Sequence, residues 1–209
     1  MNKIIFYLAL IFSPIVMQAQ SAKALLDQVS EKVKSYNNIV IDFKYSLSNK
    51  KEGLSQETRG DVTLEGEKYV LNLMGTTQIF DGNKLHVIIP EDEEINISNA
   101  NPESSLTPSK MLTFYQDGYK ATMDIEQNVN GRKIQYVKLV PTTKENDIEY
   151  ILLGIDKESK HIYKQILSQG NGTEIIVTVN QFKVNQPLSS TLFTFDSSKY
   201  ADYYINRID

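Results

Sequence analysis

TPSKMLTFYQDG, residues 107–118, is a compact helical signal inside a chain that otherwise alternates like strand after strand. Thr107 suits an N-cap, and Pro108 suits the first helical position, where its missing N–H is no loss. Gly118 stops the helix by accepting a left-handed conformation. At about 100° per residue, Met111, Leu112, Phe114 and Tyr115 fall on one apolar arc, with Lys110, Thr113, Gln116 and Asp117 opposite. A short helix with one apolar face, stranded among strands, is expected to cover the concave side of a curved antiparallel sheet.

Upstream, Ser21 opens a helix in which Leu25, Leu26, Val29, Val33 and Tyr36 recur at three- and four-residue spacing until Asn37-Asn38. The period then becomes two, with Ile39, Ile41, Phe43, Tyr45 and Leu47 on one face. Ser48 to Gln56 reads as a turn and Glu57 to Leu64 as the next strand; Tyr69, Leu71 and Leu73 mark another. Gly75 and Asp81-Gly82 punctuate two more, the second with Leu85, Val87 and Ile89 in phase and Pro90 at its end. Ile95 and Ile97 make a short sixth.

Downstream of Gly118, alternation returns with Tyr119, Ala121, Met123 and Ile125, and Asn130-Gly131 is a strong hairpin signal because both positions tolerate positive φ. It pairs that strand with Lys133 to Val140. Ile148 to Ile155, Ile162 to Ser168 and the run Ile175, Val177, Val179 follow, the last after a Gly170-Asn171-Gly172 turn. Phe193-Thr194-Phe195 reads as a final short strand before a tyrosine-rich tail. The pattern gives about eleven strands, each with one apolar and one polar face, in an α+β, mainly β domain built as an antiparallel meander. A twisted sheet of that width curls, and two short helices cannot fill the hollow, so a hydrophobic cavity is expected under them.

The chain has 209 residues, 41% of them hydrophobic, enough for one domain with a substantial core. Lys3, the apolar run Ile4 to Val16 and Met17-Gln18-Ala19 read as a signal peptide over residues 1–20, leaving 21–209 as a single exported domain. A net charge of −4 disfavours a nucleic-acid partner. No cysteine is present, so neither a disulfide nor a lipid-modified cysteine is available. The two histidines, His86 and His161, lie in a strand and at a turn, and the motifs G-x-S-x-G, H-E-x-x-H and a phosphate loop are missing. No enzyme activity, metal or cofactor is expected. The acidic run Glu91-Asp92-Glu93-Glu94 has no glycine at the calcium-loop position and reads as a solvated turn.

The order of several short segments resembles the periplasmic outer-membrane lipoprotein carriers, the Lol carrier family. They are Val29-Ser30 to Phe43, Glu57-Thr58-Arg59-Gly60-Asp61-Val62, Phe80-Asp81-Gly82-Asn83-Lys84-Leu85 with Pro90, Leu106-Thr107-Pro108 to Leu112, and Leu192-Phe193-Thr194-Phe195. The resemblance implies an unclosed antiparallel β-barrel with an N-terminal helix and lid helices. It also implies a periplasmic, monomeric chaperone that shelters the acyl chains of lipoproteins between the inner and outer membranes. The implied partners are acylated lipoproteins, an inner-membrane ABC-type lipoprotein release complex and an acceptor at the outer membrane. A lipid-sensing regulatory domain, or a binder of another amphiphile, is the alternative on the same fold.

Under that resemblance, the lipid space is expected to draw on Phe43, Tyr45, Leu64, Leu71 and Leu73 from the first strands. Val87, Ile89 and Val177 add to it from later strands, and Met111, Leu112 and Tyr115 from the lid. Two departures from the family pattern stand out. Glu65-Gly66 occupies the place of an arginine that tethers the lid, so the lid is expected to be held mainly by Met111, Leu112, Phe114 and Tyr115. His86 replaces the usual tryptophan of the Asp81-Gly82 hairpin.

Overall fold

The computed structural model describes residues 13–99, 107–143 and 147–208, and for residues 13–20 the backbone alone. The signal-peptide reading therefore lies largely outside the described residues, as does the stretch 100–106. Helix α1 (Ser13–Lys34) does not start at Ser21 but runs through it from Ser13. No described helix is long and apolar enough to cross a membrane.

Six strands follow: β1 (Ile39–Asn49), β2 (Leu54–Glu65), β3 (Lys68–Leu73), β4 (Thr76–Phe80), β5 (Lys84–Ile89) and β6 (Glu94–Asn99). After the short helix α2 (Pro108–Met111) come β7 (Tyr119–Val129), β8 (Arg132–Pro141), β9 (Ile148–Asp156), β10 (Ile162–Gln169), β11 (Thr173–Val184) and β12 (Tyr204–Ile208). All twelve form one unclosed sheet in the order β12-β6-β5-β4-β3-β2-β1-β11-β10-β9-β8-β7. Neighbours are antiparallel except β12, which lies parallel to β6. The first turn is shorter than the sequence pattern suggests, because β1 and β2 pair as far as Asn49 and Leu54. Asn130 and Gly131 take positive φ at the tip of the β7–β8 hairpin, as their types require.

Directly paired residues share a face, so the ladders trace the apolar inner surface. Ile41 pairs with Val62 and Phe182, and Val62 with Leu71. Tyr45 pairs with Val177, which continues through Gln165 and Leu153 to Val137 and Met123. This face carries the main core, joined by Ala22, Leu26 and Val29 of α1. Ile125 was in phase with Met123 but is 57% exposed. A bulge between Met123 and Glu126 breaks the register there, and a one-residue slip sends a side chain to the other face.

The tail corrects the sequence reading twice. Phe193-Thr194-Phe195 leaves a turn as irregular chain, not as a strand, while the tyrosine-rich end supplies β12. The segment is fixed by side-chain stacking: Phe195 lies on His86, with centroids 4.6 Å apart, and on Tyr200 at 5.6 Å. Hence in β5 the deeply buried residues are His86 and Ile88, on the face opposite Leu85, Val87 and Ile89. At this edge the sheet is covered on its outer side too, which period-two reading of a single strand cannot foresee. His86, in place of the expected tryptophan, is thus part of an aromatic stack.

Candidate functional site

The lid keeps its predicted caps but not its continuity. The Thr107 side chain accepts from the Lys110 N–H, Pro108 opens α2, and Gly118 takes φ 81°. Helix α2 ends at Met111, and a separate 3-10 turn runs over Phe114–Gln116. Between them Thr113 sits at φ −139°, outside the helical region. So short a helix gains little from propagation, and the break lets two side chains of the arc turn fully inward. Those are Leu112, 8% exposed, and Tyr115, 3% exposed; Met111 and Phe114 are half-buried.

The expectation that apolar side chains mainly hold this lid is corrected by two polar contacts that fix it as well. Ser109 Oγ donates to the carbonyl of Gly66 in the β2–β3 turn at 3.2 Å. Gln116 Nε2 donates to Ser30 Oγ of α1 at 2.7 Å, and Ser30 is 1% exposed. Neither pair was foreseen from the sequence. Ser30 lay inside the apolar stripe of α1, and a small hydroxyl at a core-facing position is the signal that marks a buried partner.

Replacing Ser30 with alanine removes the acceptor while leaving exposed Gln116 to water, a cost of about 1 kcal/mol. The amides of Leu112, Thr113 and Gln116, which bond within the lid, are then expected to exchange with deuterium about fivefold faster. Strand amides should be unaffected, and unchanged lid exchange would show that this bond does not hold it.

Where α2 meets the end of α1, a cleft of about 260 Å³ opens. Its apolar wall is Val33, Ile39, Leu64 and Leu112; Lys34, Glu67, Ser109 and Thr113 bring polar groups. Its far wall, Tyr36 to Asn38, is pinned by hydrogen bonds. Asn38 Nδ2 donates to the Gln186 carbonyl at 2.9 Å, and the Gln186 N–H donates to Asn38 Oδ1 at the same distance. Tyr36 Oη and His161 Nε2 share a hydrogen bond of 2.8 Å, and His161 stacks on Phe182 at 4.0 Å. Burial, and then the charge of Lys32, push the His161 pKa down, with Asp156 opposing. Both histidines thus stand in packed aromatic settings.

Of the residues expected to line a lipid space, Leu64 and Leu112 border this cleft. Phe43, Leu64, Leu112 and Tyr115 are buried in one cluster, with Tyr45, Leu71, Leu73 and Val177 half-buried against it. Val87, Ile89 and Met111 are half-buried outside that cluster. The half-buried inner side chains leave apolar surface accessible. Among the described residues no group of three or more metal-ligating side chains gathers.

The sequence matches no curated protein. Among solved structures, an uncharacterized conserved protein from Thermus thermophilus superimposes with a TM-score of 0.57 at 11% identity, covering 90% of this chain and 100% of that one. The Mycobacterium tuberculosis lipoprotein LppX gives 0.51 at 16% identity, covering 81% and 98%. At such identities the likeness speaks for the fold. The family model described as outer membrane lipoprotein carrier protein LolA matches residues 34–196, well over half of the chain. With the half-barrel, its lid and this match together, the protein belongs to the LolA family of outer membrane lipoprotein carriers.

Proposed function

We propose that the protein is a periplasmic chaperone, not an enzyme, that takes the acyl chains of lipoproteins against the inner face of its sheet and carries them from the inner to the outer membrane. The observation that carries this reading is the seating of the lid. Leu112 and Tyr115 occupy the same apolar cluster as Phe43 and Leu64, and the cleft opens beside Leu112. A ligand reaching that surface has to displace lid side chains, so the lid and the acyl chain compete for one site.

Competition of this kind suits a carrier. Each methylene removed from water contributes about 0.8 kcal/mol, and part of that is offset by undocking the lid, which keeps the complex reversible. Partners on this reading are a release complex of the ABC type in the inner membrane and an acceptor at the outer membrane, with the carrier working as a monomer.

Mass spectrometry of material co-purifying with the protein from its own periplasm should find acylated peptides. Depleting the protein should strand outer-membrane lipoproteins in the inner membrane. Normal sorting together with a bound non-protein lipid would replace the carrier reading with that of a lipid sensor or another amphiphile binder.

A further inference from the structure

One buried polar group has no role in the closed fold. The hydroxyl of Tyr115 is fully buried and has no hydrogen-bond partner among the described residues. Its ring is held firmly, edge-on to Phe114 with centroids 5.7 Å apart, inside the cluster that includes Leu26, Val29, Phe43 and Leu112. A phenol left unpaired in such a place costs about 1–3 kcal/mol relative to one that is satisfied. A phenylalanine would fill the same space without that cost, so the hydroxyl is explained by something that reaches it when the lid moves.

The geometry points to Tyr115 as a ligand-binding residue whose hydroxyl donates a hydrogen bond to a neutral carbonyl, the ester or amide that joins an acyl chain to its carrier group. The inference rests on the acyl-binding reading and narrows its ligand. Burial pushes the phenol's pKa well above its usual value, and the carboxylate of Asp27 adds to the rise, so at neutral pH the group is a donor. A free fatty acid also offers an acceptor, but as a carboxylate it needs a charge partner once desolvated. Among the described residues no lysine or arginine is buried, and the buried histidine, His86, lies on the other face of β5. Asp27 supplies the wrong sign, although Lys23 pairs with it on the solvent side at 2.7 Å. A neutral ester or amide meets neither obstacle.

The test uses the purified protein and displacement of a bound hydrophobic fluorophore at pH 8 by laurate, methyl laurate and N-methyl lauramide, which share one chain. The wild type should bind the ester or the amide, or both, more tightly than laurate; the arms distinguish which linkage is taken. Tyr115→Phe should reduce the preference for the ester or amide over laurate about tenfold, and its melting temperature should rise because a buried unpaired hydroxyl is gone. An unchanged ratio of ester and amide to laurate in Tyr115→Phe, or a lower melting temperature, would overturn the assignment while leaving acyl binding intact. If the wild type displaces the fluorophore with none of the three, the acyl-binding reading fails and takes this one with it.

Discussion

Leu112→Asp is expected to reduce binding of an acyl probe by at least tenfold while the sheet stays folded, because the lid side chains that give way to the chain also line it once it is bound, as read by fluorescence titration and far-UV circular dichroism. Leu112 is 8% exposed and belongs both to the core cluster and to the wall of the cleft. Truncating a buried leucine costs about 2–5 kcal/mol, and an ionised carboxylate in its place costs more unless it reaches water. Here it can reach water, because the lid is a short segment and not a strand of the sheet. The loss is therefore capped at the free energy of docking the lid.

Two outcomes separate what the lid does. If it supplies part of the binding surface, an undocked lid lowers affinity. If it only blocks the site, the same change raises affinity, since the competitor has been removed. Equal affinity in the mutant would take residues 107–118 out of the site altogether.

The lid also shows which parts of this protein can be read from sequence. Its caps were legible because Thr107, Pro108 and Gly118 act through local backbone chemistry. Leu112 and Tyr115 were legible because apolar spacing reports a buried face. The interruption at Thr113 was not, since it depends on how far Tyr115 can reach into a core built from distant strands. The same division holds for the sheet. Alternation located nearly every strand, yet the bulge that exposes Ile125 and the parallel pairing of β12 arise from register and from neighbours far apart in the chain. For the lid, apolar spacing marks the residues that turn inward, whereas the pairs Ser30 with Gln116 and Ser109 with Gly66 require two segments to be brought together. Polar pairing between remote residues leaves no periodic trace.

Gly60→Ala should be the most damaging single-methyl addition on the inner face, and it links the sheet to the site. Gly60 lies opposite Phe43 on β1 and Leu73 on β3. A Cβ built there would stand 2.7 Å from Phe43 Cζ and 2.8 Å from the carbonyl oxygen of Asn72. The first contact is relieved by turning the ring, which moves a side chain of the acyl-binding cluster; the second is with backbone and needs the strands themselves to shift. Overpacking of this kind costs about 1–3 kcal/mol, measured as a lower urea midpoint at unchanged slope. Pairing the change with Phe43→Leu separates the two clashes. The double mutant should be more stable than the sum of the single effects predicts, because the ring contact has been removed, but less stable than Phe43→Leu alone, because the Asn72 carbonyl remains. Strict additivity would mean that the ring already has room to move. In that case Phe43 is a mobile element of the inner wall, free to yield to an acyl chain, and not a fixed part of the core.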